Sequence, residues 1–410
     1  MLPRSSATRF LSAYAQKSPR KKVDCAVYGC GLSASGALAI PKLVHSSSND
    51  ADVTASEAKH PKRITYFNTK SIQLVSSGFG FSLFSSENKL YGAGINNRFQ
   101  IGGQLTNPNQ YQDYYISAKK IKIPADEILE ISSGRAHSLI RTNSGVFAIG
   151  DNNFGQCGRD PSKQPFVLGS EDSPLTSLDL PTTSRIISIH CSLDTSFVVD
   201  SDGKVFSFGL NEDGQCGNEE YGIQWTPCAV KGDVGDGVRI KQVTGSTDTI
   251  MAVDEQGEMF VWGQMEYGQA AGAAHEIQLN TPRHLNLSSI GPISSAHTTQ
   301  SSVIAQNERG EVFVWGVGIL GMGPDAEVLK RPTQMDQPLF DKEEVTNVSA
   351  GNSCMAAITK SGRLFVWGEN RYSSLGLGHA NRQLFPYRVF IPGDVNRVSL
   401  GPDHSLFLVN

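Results

Sequence analysis

The feature that most constrains this chain is a phrase it repeats. RLFVWGENRYSSLGLG occupies residues 363–378, EVFVWGVGILGMG residues 311–323 and EMFVWGQMEYGQAAG residues 258–272. Each is an apolar, aromatic-rich strand that ends at a glycine and runs into a turn. Anchored on that glycine, the phrase occurs seven times, at Gly31, Gly94, Gly150, Gly209, Gly263, Gly316 and Gly368, with intervals of 63, 56, 59, 54, 53 and 52 residues. A period in this range marks a stacked or radial repeat.

A second strand precedes each later anchor and carries a small residue, a turn-like triplet and a Ser or Thr. Its clearest forms are SSGRAHSLI around Gly134 and SLGPDHSLF around Gly401. NSG, SDG, EQG, ERG and KSG, all X-Gly tips of short hairpins, separate this strand from the anchor strand. The strands are apolar at almost every position; VFVW at 312–315 leaves no face for water. An antiparallel sheet with such strands must be covered on both faces. Radially stacked sheets achieve this, so the expected fold is all-β, a β-propeller.

The ends set the number of blades. The N-terminal copy, Val23 to Gly31, has an anchor strand without a partner before it, and the C-terminal VSLGPDHSLFLV is a partner without an anchor after it. Six complete pairs and two complementary halves predict seven blades, closed by pairing of the N- and C-terminal strands, which removes two free sheet edges. One propeller domain is therefore expected over 23–410, with loop insertions near 45–63, 110–120 and 161–175.

Charge divides the chain. Residues 1–22 hold six of the 36 Lys and Arg and no acid, leaving 30 basic against 40 acidic side chains over the remainder, a net of −10. A body of that sign does not bind nucleic acid broadly through charge, and any contact would need a local patch that sequence does not locate. The leader, MLPRSSATRFLSAYAQKSPRKK, is Arg- and Ser-containing, free of acid and weakly amphipathic through Leu2, Phe10, Leu11 and Tyr14. It reads as a disordered mitochondrial presequence. None of the seven cysteines lies in a CxxC pair and no His cluster has metal-ligand spacing. No metal or cofactor is expected.

VDCAVYGCGLSASGAL at 23–38 imitates a glycine-rich phosphate loop, but Pro41 and a polar stretch follow where a dinucleotide fold requires a helix. Trp262, Trp315 and Trp367 recur in register and are expected in the core. Trp225 lies outside the register and is a candidate surface anchor.

The anchor phrase, the GxxHS phrase and seven units of this length resemble the regulator of chromosome condensation propeller family, over nearly everything from residue 23 onward. With the leader, SASGALAIP, GVFAIGDNNFGQCGR, FVWGVGILGMGP and FPYRVFIPG, the chain is similar to the mitochondrial branch of that family. The resemblance implies two roles. One is guanine-nucleotide exchange on the dynamin-like GTPase that fuses inner mitochondrial membranes. The other is a module with pseudouridine synthases that supports mitochondrial large-subunit rRNA, with the protein in the matrix and peripherally on the inner membrane. The alternative is a non-enzymatic scaffold for rRNA maturation without exchange activity.

In that family acidic and His side chains of the GxDH turn serve the exchange face. Asp403 and His404 match that phrase here, Arg135 and His137 match it in part, Asp194 takes the aspartate position of its repeat and Asp248 falls at the histidine position of its own. Phe81, Thr195, Gln300 and Cys354 stand where the other histidines would be. Each imidazole has two readings, contact with a partner or a bond that fixes the turn, and each aspartate could equally serve its own turn backbone. Exchange itself needs no bond-making residue, because it works through differential affinity for the nucleotide-free GTPase.

Overall fold

The computed structural model describes residues 25–44, 57–102, 112–124, 127–167, 175–235 and 237–410. Seven antiparallel sheets follow one another around a ring. Blade 2 is typical: an inner strand Leu74–Ser77, then Phe81–Ser86, Lys89–Ile95 and the outer strand Tyr114–Ile121. Blades 4 to 7 repeat this order, with inner strands Ile186–Cys191, Ile240–Gly245, Ile293–Thr298 and Val345–Ala350. In blade 3 two short strands, Phe166–Val167 and Thr176–Ser177, both pair with Gly145–Asp151 where the others have one outer strand. Blade 1 combines Val395–Leu400 and His404–Val409 from the C-terminal end with Ala26–Leu32 and Glu57–Arg63 from the N-terminal part, and Ala26 to Gly31 pair with Val409 to His404. Apart from strands, the described residues form only short 3-10 turns.

Six blades have four strands and blade 3 has five, because the expected partner strand is two: the GxxH triplet is the turn between the inner strand and the second. Two of the expected insertions are also corrected. Glu57–Arg63 is the outer strand of blade 1 and Tyr114–Ile121 that of blade 2. Outer strands face solvent on one side, so EAKHPKR and YYISAKKI carry enough charge to read as loops. Within 161–175, Phe166–Val167 is strand, while 168–174 lies outside the described residues, as do 45–56 and the whole leader.

The anchor glycine now has a physical cause. Its carbonyl-side neighbour donates to the turn that opens the second strand: Leu210 N–H to the Asp194 carbonyl at 2.9 Å, Gln264 N–H to Asp248 at 3.0 Å, Leu32 N–H to Asp403 at 2.8 Å. To make that bond the glycine adopts positive φ, +124° at Gly209, and a Cβ there would lie 2.3 Å from the Asp194 carbonyl oxygen. No side chain fits.

Between blades the aromatics interlock. Trp262, Trp315 and Trp367 are fully buried. The Trp262 indole N–H donates to the Gln215 carbonyl and that of Trp315 to the Gln269 carbonyl, each at 2.8 Å and each in the preceding blade. At these two junctions the wedges are joined by apolar area and a satisfied polar contact, whereas the buried Trp367 indole N–H has no hydrogen-bond partner among the described residues.

Candidate partner-binding face

The turns between inner and second strands emerge at one face of the disc, together with the loops that follow the anchors. Those loops share an internal brace. Asn152 Oδ1 accepts from Cys157 N–H and Gln156 Oε1 from Phe154 N–H, and Asn211 and Gln215 repeat the pattern with Cys216 and Asp213. The brace leaves each Gln amide free to donate into the next blade. Gln156 Nε2 reaches Asp194 Oδ1 at 3.5 Å and Gln215 Nε2 reaches Asp248 Oδ1 at 3.0 Å.

Pairing with the anchor glycines sets the register of the turn ring. Phe81, His137, Thr195, Thr249, Ser302, Cys354 and His404 face Gly94, Gly150, Gly209, Gly263, Gly316, Gly368 and Gly31. Asp248 precedes Thr249, so it occupies the aspartate position with Asp194 and Asp403, not the histidine position. Ser302, not Gln300, stands at the histidine position of blade 6. The short SAHTTQSS segment had hidden that two-residue offset.

Three of the sequence candidates converge. Arg135, from the turn of blade 3, donates through Nε to Asp194 Oδ1 at 3.2 Å and lies 2.5 Å from Oδ2 through Nη2. Asp194 is almost wholly buried while the guanidinium keeps 42% of its side-chain surface exposed, so the pair offers its cationic end to solvent. Asp248 follows in blade 5. Burial pushes both carboxyls up to about 6. Asp194 is held down in part by Arg135 and raised further by Asp151 and Asp248, and Asp248 is raised further by Asp213. Arg135 therefore stands beside two reluctant carboxylates. Sequence reasoning missed Asp151, Asp213 and the bracing glutamines; the recurring GQ of GQCG and GQAA was the available signal.

The remaining candidates do not present themselves to a partner. His137 and His404 are fully buried between blades. His137 Nε2 bonds Ser196 Oγ at 2.9 Å and His404 Nε2 bonds Ser82 Oγ at 2.7 Å, each serine belonging to the next blade. Burial and the Arg135 charge hold His137 down at about 3, so it is neutral at any physiological pH. Asp403 is bonded to His404 Nδ1 at 2.7 Å and to Gly80 N–H at 3.4 Å. It braces the junction of blades 1 and 2, away from the Arg135 cluster. Trp225 is partly exposed on the outer strand of blade 4, where it packs over Gly155.

Among the described residues no group of three or more His, Cys, Asp or Glu side chains is placed to hold a metal. What the face offers is shape and charge for a macromolecular partner.

Fold and turn ring together define a propeller of the regulator of chromosome condensation class. Models of the regulator of chromosome condensation (RCC1) repeat match residues 202–253 and 361–408, and 128–156, 186–215 and 345–373. The chain is 33% identical to the RCC1-like G exchanging factor-like protein of Homo sapiens, with 93% of this chain and 86% of the relative covered, and equally so to the Mus musculus protein, with 87% of it covered. The crystal structure of human WBSCR16 superposes with a TM-score of 0.84 at 33% identity, covering 94% of this chain and 99% of that one. Yeast RCC1 (Prp20), solved with Kap60 bound, shares the fold at a TM-score of 0.76 and 16% identity over 99% and 96% of the two chains. The chain belongs to the RCC1-like G exchanging factor-like family.

Proposed function

We propose that this protein is a guanine-nucleotide exchange factor that engages a GTPase through the Arg135–Asp194–Asp248 face. The carrying observation is that Asp194 and Asp248 are largely buried, with their carboxyls raised to about 6. Burying carboxylates in that way opposes folding; Asp194 is paired with Arg135, while Asp248 has no ion pair among the described residues, and a partner cation that completes it recovers the loss on binding. A GTPase in its nucleotide-free state exposes a phosphate loop whose lysine and backbone N–H groups have lost their anion. Carboxylates on a rigid rim favour that state over the nucleotide-bound one, and such differential affinity drives release. No bond is made or broken.

The partner that suits the family branch is the dynamin-like GTPase of inner-membrane fusion, which the protein would meet in mitochondria, in the matrix and peripherally on the inner membrane. The basic leader supports that location. The test is release of fluorescent GDP from the purified GTPase by catalytic amounts of the protein. Acceleration that Arg135→Ala and Asp248→Asn abolish supports the assignment; release no faster than the intrinsic rate refutes it.

A second reading, scaffolding of mitochondrial large-subunit rRNA with pseudouridine synthases, rests on a different surface. The chain is acidic overall, yet the outer strands of blades 1 and 2 carry basic side chains that have no ion pair among the described residues. Crosslinking of RNA in intact mitochondria tests it: enriched large-subunit rRNA supports the scaffold, and its absence together with no pseudouridine synthase in pull-downs removes it.

A further inference from the structure

The basic residues of this chain fall into two populations. On blades 3 to 7 many are neutralised: Arg141, Arg159, Arg239, Arg283, Arg309, Lys360 and Arg363 each pair with a carboxylate, while Lys330 and Arg331 on the outer strand of blade 6 are exposed with no ion pair among the described residues. On the rim of blades 1 and 2 they are not. Lys62 and Arg63 end the outer strand of blade 1, and Lys119, Lys120 and Lys122 lie at the corresponding end of the outer strand of blade 2. All five are exposed. Together with half-buried Lys70 they have no ion-pair partner among the described residues.

The fold brings these six cations together. Register sets Arg63 opposite Tyr28 and Lys62 opposite Gly29 in blade 1, and Lys120 opposite Tyr91 in blade 2. The 3-10 turn Thr65–Phe67 joins the two blades, and its Tyr66 ring lies 6.1 Å from that of Tyr91. Lys70 Nζ sits 3.7 Å over the Tyr66 ring and donates to the Tyr66 carbonyl at 2.7 Å. Tyr66 itself is 40% exposed. Beside it opens a cavity of about 430 Å³, walled by Tyr91, Lys70, Lys89 and Glu87 with the polar groups of Gln73, Ser86 and Asn88. The strand direction places this site at the face opposite the Arg135 cluster: Tyr114 pairs with Ile95 at the loop end of blade 2, and Lys120 lies at the other end.

We propose that the rim of blades 1 and 2 binds single-stranded RNA, with phosphates running along Lys62, Arg63, Lys119, Lys120 and Lys122 and a base turned toward Tyr66 and the adjoining cavity. This deepens, and rests on, the RNA-scaffold reading. A ladder of unpaired cations interleaved with an exposed aromatic is what a single strand requires: charge along its backbone and a ring on which a base stacks. The cavity adds amide and hydroxyl groups that can read a base edge. A membrane would demand exposed aliphatic or Phe side chains for insertion, and among the described residues of this rim the exposed large apolar side chain is Tyr66.

The test is binding of a fluorescent 20-nucleotide single-stranded RNA to the full chain across a salt series, against the triple variant Lys119→Glu, Lys120→Glu, Lys122→Glu. The basic leader is identical in both proteins, so it cancels. Neutralising six phosphates gives a log–log salt slope of about −4. The variant is expected to bind at least tenfold more weakly with a slope shallower by about 2, while its unfolding midpoint stays unchanged because all three lysines are exposed. Tyr66→Ala should weaken binding without altering the slope, which separates stacking from charge. Wild-type and variant binding RNA alike overturns this placement and leaves the scaffold reading standing. Failure of wild-type protein to bind RNA at all overturns both. Loss confined to single-stranded DNA, to anionic vesicles or to an acidic peptide, with RNA unaffected, overturns the assignment of the patch to RNA.

Discussion

Asp248→Asn should stabilise the protein while disabling it. The carboxyl is raised from an ordinary 3.8 to about 6, chiefly by burial and next by Asp213, against the Gln215 bond and the more distant Arg135. Its folded pKa lies above its unfolded one, so the folded state binds the proton more tightly and stability falls as pH rises between the two values. The penalty is absent below about pH 4, grows through the window and is complete above about pH 6. Two units correspond to about 3 kcal/mol, and residual solvent contact around a side chain that is only partly buried brings this to about 1–2 kcal/mol. Asparagine keeps an Oδ1 for Gln215 Nε2, now at 3.0 Å, and turns an N–H₂ toward Asp213.

The assay is denaturant unfolding of wild type and variant at pH 7.5 and pH 4.5. The variant should be more stable by about 1–2 kcal/mol at the higher pH, with the difference shrinking toward zero at the lower. Taking differences between the two proteins removes the titration of every group they share. A variant less stable than wild type at pH 7.5, or a gap that does not close on acidification, refutes the claim that Asp248 is held charged against the preference of the fold.

Arg135→Ala removes the counter-charge of a buried carboxylate and should cost about 1–3 kcal/mol at pH 8, and less at pH 5 where Asp194 takes up a proton; denaturant midpoints at the two values check this. Gly209→Ala should cost about 3 kcal/mol or more, because φ is +124° and the new Cβ would meet the Asp194 carbonyl at 2.3 Å, whereas Gly145→Ala, at φ +142° with nothing within 4 Å, should cost about 1 kcal/mol; thermal unfolding distinguishes the two. His404→Ala strands Ser82 Oγ and Asp403 at the junction of blades 1 and 2 and should lower stability by about 2–4 kcal/mol. It should leave GDP release by the folded protein unchanged, since the imidazole is buried.

What was legible in sequence follows from how local each signal is. The anchor glycine repeats because a steric demand repeats, and Trp262, Trp315 and Trp367 recur because each blade meets its neighbour in the same way. Both are one-dimensional patterns. The outer strands were missed because a strand with one wet face and one free edge needs few apolar residues: EAKHPKR buries only Ala58. Asp248 was placed in the wrong column because the true register is set by pairing across the hairpin to Gly263, which sequence spacing approximates only within a residue or two. The histidines drew attention as chemistry-bearing groups, and only packing shows that Ser196 and Ser82 of the neighbouring blades occupy them.

The basic rim was invisible for a further reason. Lys62 and Lys120 lie 58 residues apart in the chain, each in a short basic stretch that alone makes no patch. Packing of the consecutive blades 1 and 2 across the Thr65–Phe67 turn brings them together. Strand direction sets the rim at the face opposite the Arg135 cluster. A GTPase at the Arg135 face and a polyanion at the lysine rim therefore need not compete for surface. If both partners bind, substitutions at Asp248 and at Lys120 should act independently, each abolishing one association and sparing the other; coupling between them would mean that the two faces communicate through the blades.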